Sequence, residues 1–308
     1  MDDAAAGDRT SGGTPACAPL VVAVVVTFNP GPELHAHLLA IREQVAQAIV
    51  VDNGSSQAAA IREVCEATGC EFVGNAANRG LAAALNQGAE LALARGATWL
   101  ATFDQDSLVP AAAVQSLLDA AETHPAPASI AILAVSHADR GTGRAYHHPS
   151  DVLQEGARWR ELRTTITSGS LVRCATLRQL GLFEERLFID CIDHEFCLRS
   201  RRHGWRVVEV PAVLMPHSLG ASRVHNILGR RTVATHHSPL RRYYMTRNQL
   251  EVFGRHLLFD PVLCARALAT LAAVSVFVLL LEEQRLAKLG AMLQGLADFA
   301  ARRFGPRA

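Results

Sequence analysis

Seven consecutive apolar residues, Leu20-Val21-Val22-Ala23-Val24-Val25-Val26, constrain the fold of this chain more than any other feature. A β-branched run without polar alternation reads as a strand covered on both faces, and such strands belong to parallel sheets flanked by helices. The run stops at the turn Thr27-Phe28-Asn29-Pro30-Gly31, after which Leu34, Leu38, Ile41 and Val45 recur at helical spacing. A second strand, Ala48-Ile49-Val50-Val51, ends at Asp52-Asn53-Gly54-Ser55-Ser56. A helix through Ile61, Val64 and Cys65 follows, then a short strand Glu71-Phe72-Val73. Asn78-Arg79-Gly80 introduces an Ala/Leu-rich helix to Arg95, and residues 97–102 read as a buried strand entering Phe103-Asp104-Gln105-Asp106-Ser107. Alternating strands and helices imply parallel pairing with right-handed crossovers, an α/β class with a mostly parallel central sheet.

In such a sheet the C-terminal strand ends lie along one rim, where ligands bind. Here those ends carry Thr27 and Asn29, then Asp52 and Asn53, then Asp104 and Asp106. Each alone is satisfied by a turn or a helix cap; three together point to one site. Asp104 and Asp106 would repel each other unless a cation lay between them. A hard divalent cation bridging them to a diphosphate accounts for the pair, and a solvated acidic turn is the alternative. No GxGxxG follows the first strand, which argues against a standard dinucleotide fold.

Composition removes several other classes. The chain has 308 residues, 49% of them hydrophobic, enough for a sizeable core. Lys+Arg 30 against Asp+Glu 29 leaves no field to attract nucleic acid. Seven cysteines without a CxxC suggest free thiols in a reducing compartment. Cys191, His194 and Cys197 are zinc-ligand types, but they spread over a wide helical arc and lack a nearby fourth ligand. Residues 1–18 read as a disordered tail without the basic and apolar regions of a signal peptide, so the expected location is cytoplasmic.

Beyond residue 110 the pattern loosens. Residues 129–134 read as a strand, 136–165 as a long loop or edge hairpin, and 164–173 as extended chain interrupted by Ser168-Gly169-Ser170. A helix is expected from about Asp193 to His203, followed by a strand over 205–210. The C-terminal third is helical, starting at Pro239. Its stretch 267–281 holds 15 residues without a charge, short of the ~20 that span a bilayer, and reads equally as a buried or an interfacial helix. Arg302, Arg303 and Arg307 make the end basic, which suits an anionic lipid surface.

As a set, Val26-Thr27-Phe28-Asn29-Pro30, Val50-Val51-Asp52-Asn53-Gly54-Ser55, Asn78-Arg79-Gly80 with Asn86, and Phe103-Asp104-Gln105-Asp106-Ser107 resemble the family 2 glycosyltransferases of the GT-A fold. The Asp-Gln-Asp-Ser form, the segment from Phe188 to Arg199, and Arg242-Tyr243-Tyr244-Met245-Thr246-Arg247-Asn248 look most like the bacterial rhamnosyltransferase branch. The resemblance covers about residues 20–305, with a GT-A domain at 19–235 and a helical C-terminal extension at 236–308.

It implies an inverting, metal-dependent transfer of a sugar, L-rhamnose from dTDP-rhamnose in the leading reading, to a polysaccharide or lipid-linked glycan. UDP-galactofuranose or UDP-glucose as donor, or a non-catalytic nucleotide-sugar-binding protein, are the alternatives. Thr27, Phe28, Asn29, Asp52 and Asn53 would hold the nucleotide, Asp52 accepting the imide N–H of uracil or thymine. Asn78, Arg79 and Gly80 would approach the nucleotide or diphosphate, and Gly169 and Ser170 the donor sugar. Asp104 would meet the ribose or a metal-bound water, Asp106 the Mg²⁺ or Mn²⁺, with His217 as a third ligand or diphosphate contact. Asp193 would be the general base, although Ile192 stands where the family usually has Glu, and Asp190 is the rival one turn away. Peripheral contact of the C-terminal helices with the inner face of the plasma membrane completes the expectation.

Overall fold

In the computed structural model of the chain, residues 18–139, 147–217, 223–227, 230–234 and 236–307 are described, with 139, 217, 223–227 and 230–234 as backbone. The expected tail at 1–18 lies outside them except for its last residue. The first third alternates as its sequence demands. β1 (Val21–Thr27), α1 (Leu34–Arg42), β2 (Gln47–Asp52), α2 (Ala58–Thr68), β3 (Glu71–Gly74), α3 (Leu81–Ala94) and β4 (Trp99–Asp104) follow in order. Then come α4 (Ala113–Glu122), β5 (Ile130–Asp139), β6 (Val152–Glu155), β7 (Arg160–Leu162), β8 (Ser170–Arg173), α5 (Cys174–Leu180), α6 (Ile192–Arg202) and β9 (Arg206–His217). β10 (Arg223–Ile227) and β11 (Arg230–Ala234) form a separate antiparallel pair. The helices α7 (Pro239–His256), α8 (Pro261–Leu281) and α9 (Arg285–Ala300) end the chain.

The main sheet runs β3-β2-β1-β4-β8-β5-β9-β7-β6. Its first four strands are parallel, β8 is antiparallel to both neighbours, β5 and β9 are parallel, and β7 and β6 form an antiparallel edge. The sheet is therefore mixed beyond β4. The β-branched run of β1 serves two cores at once. Val21, Ala23 and Val25 pack on one face with α1, α2 and α4, while Val22 and Val24 pack on the other with α3 and α6. Register fixes the rim: Thr27 lies beside Asp52, and Val26 beside Asp104.

Three sequence expectations are corrected. Residues 164–166 belong to no strand, the interruption expected at 168–170 is a turn at 168–169, and only Ser170–Arg173 is strand. The strand expected over 129–134 continues to Asp139 because β8 and β9 flank it on either side. The apolar stretch 267–281 is the end of a 21-residue helix that Asp260 caps, accepting the Leu263 N–H at 3.2 Å, with Pro261 at its first position. Arg266, just before that stretch in sequence, sits inside the helix and pairs with Asp151. The helix is long and apolar enough to cross a bilayer by length and composition, and only 17% of its most apolar window is buried. The rest of the chain therefore leaves most of that stretch uncovered. The helices α7, α8 and α9 are instead tied by a buried charge triad in which Glu282 accepts from Arg242 and from Lys288 Nζ at 2.8 Å.

Candidate active site

The rim begins with a buried lock. Thr27 Oγ1 donates to Asp52 Oδ1 at 3.0 Å, the Ser55 N–H to Asp52 Oδ2 at 3.0 Å, and the Ser55 hydroxyl to Oδ1 as well. Thr27 and Asp52 have no exposed surface. Asp52 thus organises the turn after β2, and a carboxylate oxygen with one bond keeps capacity for a second donor. Asn29, at φ +47°, joins the same lock by accepting from Ser56 N and Oγ at 3.0 Å. Asn53 Nδ2 donates to Asn78 Oδ1 at 3.1 Å, while Asn53 Oδ1 accepts the Arg79 N–H and Asn78 Oδ1 the Gly80 N–H. Gly80 adopts φ +90°, and a Cβ there would lie 2.6 Å from the Phe188 ring, so the position requires glycine.

These turns open onto a cleft of ≈ 400 Å³ lined by Phe28, Asn53, Asn78, Gly80, Asp104 and Asp106 together with Gln105, Phe188, His237 and Arg241. Gln105 Oε1 accepts the Phe28 N–H at 2.8 Å and so ties the end of β1 to the end of β4. Phe28 itself is 46% exposed at the cleft. Asp104 is half-buried, and its carboxyl is pushed up to about 7 by burial, then by the negative charges of Asp106 and Asp193, with Arg241 opposing. Asp104 therefore sits among like charges contributed by β4 and by α6, over 80 residues apart in sequence.

Asp193 occupies the first turn of α6, where a carboxylate is favoured by the helix N-terminus, and its Oδ1 accepts the His194 N–H at 2.8 Å. It lines a small gap with Thr165, Ile166 and Ser170, separate from the residues that line the cleft. The loop before α6 is strained: Phe188, Asp190 and Cys191 all have φ of +65° or +66°. Asn248 holds it, donating from Nδ2 to the carbonyls of Leu187, Ile189 and Asp190 at 2.7–3.1 Å. Arg247, buried against Tyr243, Tyr244 and Phe304, donates to the carbonyls of Leu187 and Gly305.

Other expected site residues fall elsewhere. Arg79 is exposed and does not line the cleft. Gly169 has φ +73°, and a Cβ there would meet Val135 at 2.6 Å and Met215 at 3.0 Å, so its demand for glycine comes from the core. Ser170 is buried and donates to the Ile166 carbonyl at 2.7 Å. His217 ends β9 with its side chain outside the described residues. Sequence reasoning missed His237 and Arg241, which enter the cleft from the start of α7. Burial and the neighbouring Arg241 and Arg242 hold His237 down at about 4, so it is neutral near pH 7. The pair His236-His237 before Ser238-Pro239, a capped helix start, was the available signal.

The residues present fit a hard divalent cation. Asp104 and Asp106 offer oxygen donors at one cleft, and the raised Asp104 carboxyl marks negative charge in excess of its local partners. Among the described residues no cluster of three or more His, Cys, Asp or Glu side chains stands ready to hold a metal, so a diphosphate would have to complete the coordination.

Comparison with known proteins gives a consistent result. The model of Glycosyl transferase family 2 matches residues 22–181. The dTDP-rhamnosyl transferase RfbF of Shigella flexneri is 30% identical over 245 residues, covering 74% of this chain and 78% of that protein. Among solved structures, S. aureus TarS 1–349 in complex with UDP-GlcNAc superposes with a TM-score of 0.57 at 15% identity, covering 92% of this chain and 81% of that one. GalNAc-T7 with UDP, GalNAc and Mn²⁺ superposes with a TM-score of 0.53 at 14% identity. It covers 74% of this chain, which spans 47% of the GalNAc-T7 structure. These two likenesses bear on the fold, a GT-A arrangement.

Proposed function

The chain belongs to glycosyl transferase family 2, and we propose that it is an inverting transferase moving L-rhamnose from dTDP-rhamnose to a polysaccharide or lipid-linked saccharide. The observation that supports this reading is that Asp104 and Asp106 line one cleft, while Asp193 in the first turn of α6 is near enough to help raise the Asp104 carboxyl. The reaction needs a diphosphate-holding pair and a base within reach of one another, and the influence of Asp193 on Asp104 supports that arrangement.

In the reaction, Phe28 stacks on the base and Asn53, Asn78 and Gly80 frame the nucleotide in the cleft. Asp104 and Asp106 would hold Mg²⁺ or Mn²⁺, which supplies charge neutralisation for the departing diphosphate. Arg241 adds a fixed cation on the same side, suited to phosphate oxygens. Asp193 takes the proton of the acceptor hydroxyl as its oxygen bonds the anomeric carbon and the bond to diphosphate breaks. The name of the Shigella relative supports dTDP-rhamnose over other donors.

The outward flank of α8 suits a membrane. Val262, Val276 and Leu280 are 50%, 53% and 65% exposed, and Leu258 and Leu286 nearby are 98% and 81% exposed. Arg302 and Arg303 are exposed at the end of α9. An exposed apolar helix flank together with exposed arginines on the same chain suits the anionic inner leaflet of the plasma membrane, where a cytoplasmic enzyme would meet lipid-linked acceptors.

Mass spectrometry of products from a membrane extract tests the reading, with dTDP-rhamnose, UDP-galactofuranose and UDP-glucose supplied separately with Mn²⁺. The expected result is a deoxyhexose added from dTDP-rhamnose alone. Transfer from a UDP-sugar instead would replace the donor assignment, and binding of dTDP without any transfer would reduce the chain to a binding protein.

A further inference from the structure

A second cavity, of ≈ 380 Å³, lies behind the first turn of α6 and shares no lining residue with the nucleotide cleft. Its size falls in the ~300–1,000 Å³ range of ligand pockets. His147, Asp151, His194, Glu209 and Arg266 line it, with Phe253 as the aromatic face. Two of these carry buried atoms without a hydrogen-bond partner among the described residues: Glu209 Oε2 and His194 Nδ1. Glu209 is 3% exposed, its Oε1 faces His147 Nδ1 at 3.2 Å, and Arg160 stands 3.7 Å from Oε2, too far for a hydrogen bond. Buried polar atoms are normally satisfied, so two unmet ones on one cavity point to a polar ligand.

The cavity also adjoins the chemistry. Thr165 and Ile166 line both it and the gap that Asp193 lines, and His194 is the residue after Asp193. Its far wall is α8, through Leu263, Arg266, Ala267 and Thr270. Those four stand at i, i+3, i+4 and i+7 and so share one helix face, which the exposed Val276 does not share.

We propose that this cavity is the acceptor site and takes the polyhydroxylated head of an amphiphilic saccharide, an inference that rests on the sugar-transfer reading above. Carboxylates, guanidinium and imidazole pair with successive hydroxyls, and Phe253 covers an apolar sugar face. The acceptor's apolar tail continues along α8 toward the membrane. One hydroxyl reaches Asp193 past Thr165 and Ile166, gives up its proton there and bonds the anomeric carbon, while the diphosphate leaves with the electron pair.

The test uses Thr270→Trp, at an exposed α8 position whose hydroxyl donates only to the Arg266 carbonyl, at 2.8 Å. The indole fills the cavity mouth, whereas Thr270→Ser keeps both the bond and the space. Transfer is measured from the donor identified above into total membrane lipid extract of the source organism, with dTDP affinity followed by calorimetry. Thr270→Trp should raise the apparent acceptor KM at least tenfold with dTDP affinity unchanged, and Thr270→Ser should stay within twofold of the parent. Glu209→Gln, which removes the negative charge at constant size, should raise that KM several-fold. An unmoved KM in Thr270→Trp overturns the cavity assignment while leaving sugar transfer intact. If no nucleotide sugar donates at all, the reading of function fails first and takes this assignment with it.

Discussion

Arg241 reaches Asp190 Oδ1 from both Nε, at 3.2 Å, and NH2, at 3.1 Å, so one of the two candidate bases is held in an ion pair. Among the described residues Asp193 has no such guanidinium hydrogen bond, its Oδ1 accepting the His194 N–H instead, and it lies close enough to raise Asp104. In the proposed mechanism Asp193 is therefore the base and Asp190 the anchor of Arg241. Asp193→Asn should lower kcat by at least 10³-fold with donor affinity unchanged, the loss expected when a general base is removed. Asp190→Asn should weaken dTDP-sugar binding through a misplaced Arg241 and cost kcat less than tenfold. Parallel kcat and donor KM measurements on the two variants decide it, and equal losses in kcat would reverse the assignment.

Asn248 sets the loop that delivers Asp193. It is fully buried, and its one amide nitrogen serves three carbonyls of a segment whose φ angles are left-handed. Asn248→Ala should cost roughly 2–3 kcal/mol of stability, since carbonyls left unmet in the interior carry their desolvation penalty. Asn248→Asp should be no better, because a carboxylate cannot donate to those oxygens. Urea midpoints give the stability, and kcat should fall in both variants at temperatures where they remain folded.

Much of this site was legible before folding because its parts sit at strand ends. The runs leading into Thr27, Asp52 and Asp104 declare parallel strands, and parallel strands align their C-terminal ends. The same logic places Phe28, Asn53 and Asp106 at one cleft. What sequence could not tell is which polar rim residues turn inward: Thr27 and Asp52 are consumed in a buried lock, a matter of side-chain partners rather than spacing. His237 and Arg241 arrive from a helix more than 130 residues beyond Asp104, and nothing local marks their direction. The length of α8 was hidden because Arg266 interrupts the apolar run, whereas in the fold it bends aside to pair with Asp151.

The crowding of Asp104 makes a pH-dependent prediction. Its folded carboxyl titrates at about 7, above the 3.8 of an unperturbed aspartate. The folded chain therefore keeps a proton that the unfolded chain has lost, and this group's contribution is full below about 3.8 and is lost as pH rises through about 7. In metal-free protein at pH 8, Asp104→Asn should be more stable than the parent by roughly 1–2 kcal/mol, after solvent screening of a partly exposed group. The gain should vanish near pH 4. Added Mn²⁺ should raise the parent's Tm at pH 8 and leave that of the variant nearly unchanged. Scanning calorimetry at the two pH values reads both effects, and a variant less stable at pH 8 would contradict the electrostatic account.

Val276 and Leu280 stand one turn apart on the exposed flank of α8, at 53% and 65% exposure, and neither faces the cavity beneath. Burying a side chain of this size in an apolar phase is worth roughly 1.5–3 kcal/mol, so replacing both should dominate any loss of lipid affinity. The double variant Val276→Asp, Leu280→Asp should bind vesicles of phosphatidylglycerol and phosphatidylcholine at least tenfold more weakly in a flotation assay. Its Tm should stay within a few degrees of the parent, because exposed positions contribute little to the fold. Raising salt should weaken the parent's binding through Arg302 and Arg303 but not abolish it, since the apolar contribution is insensitive to screening. Undiminished flotation of the double variant would show that α8 is covered by protein rather than lipid.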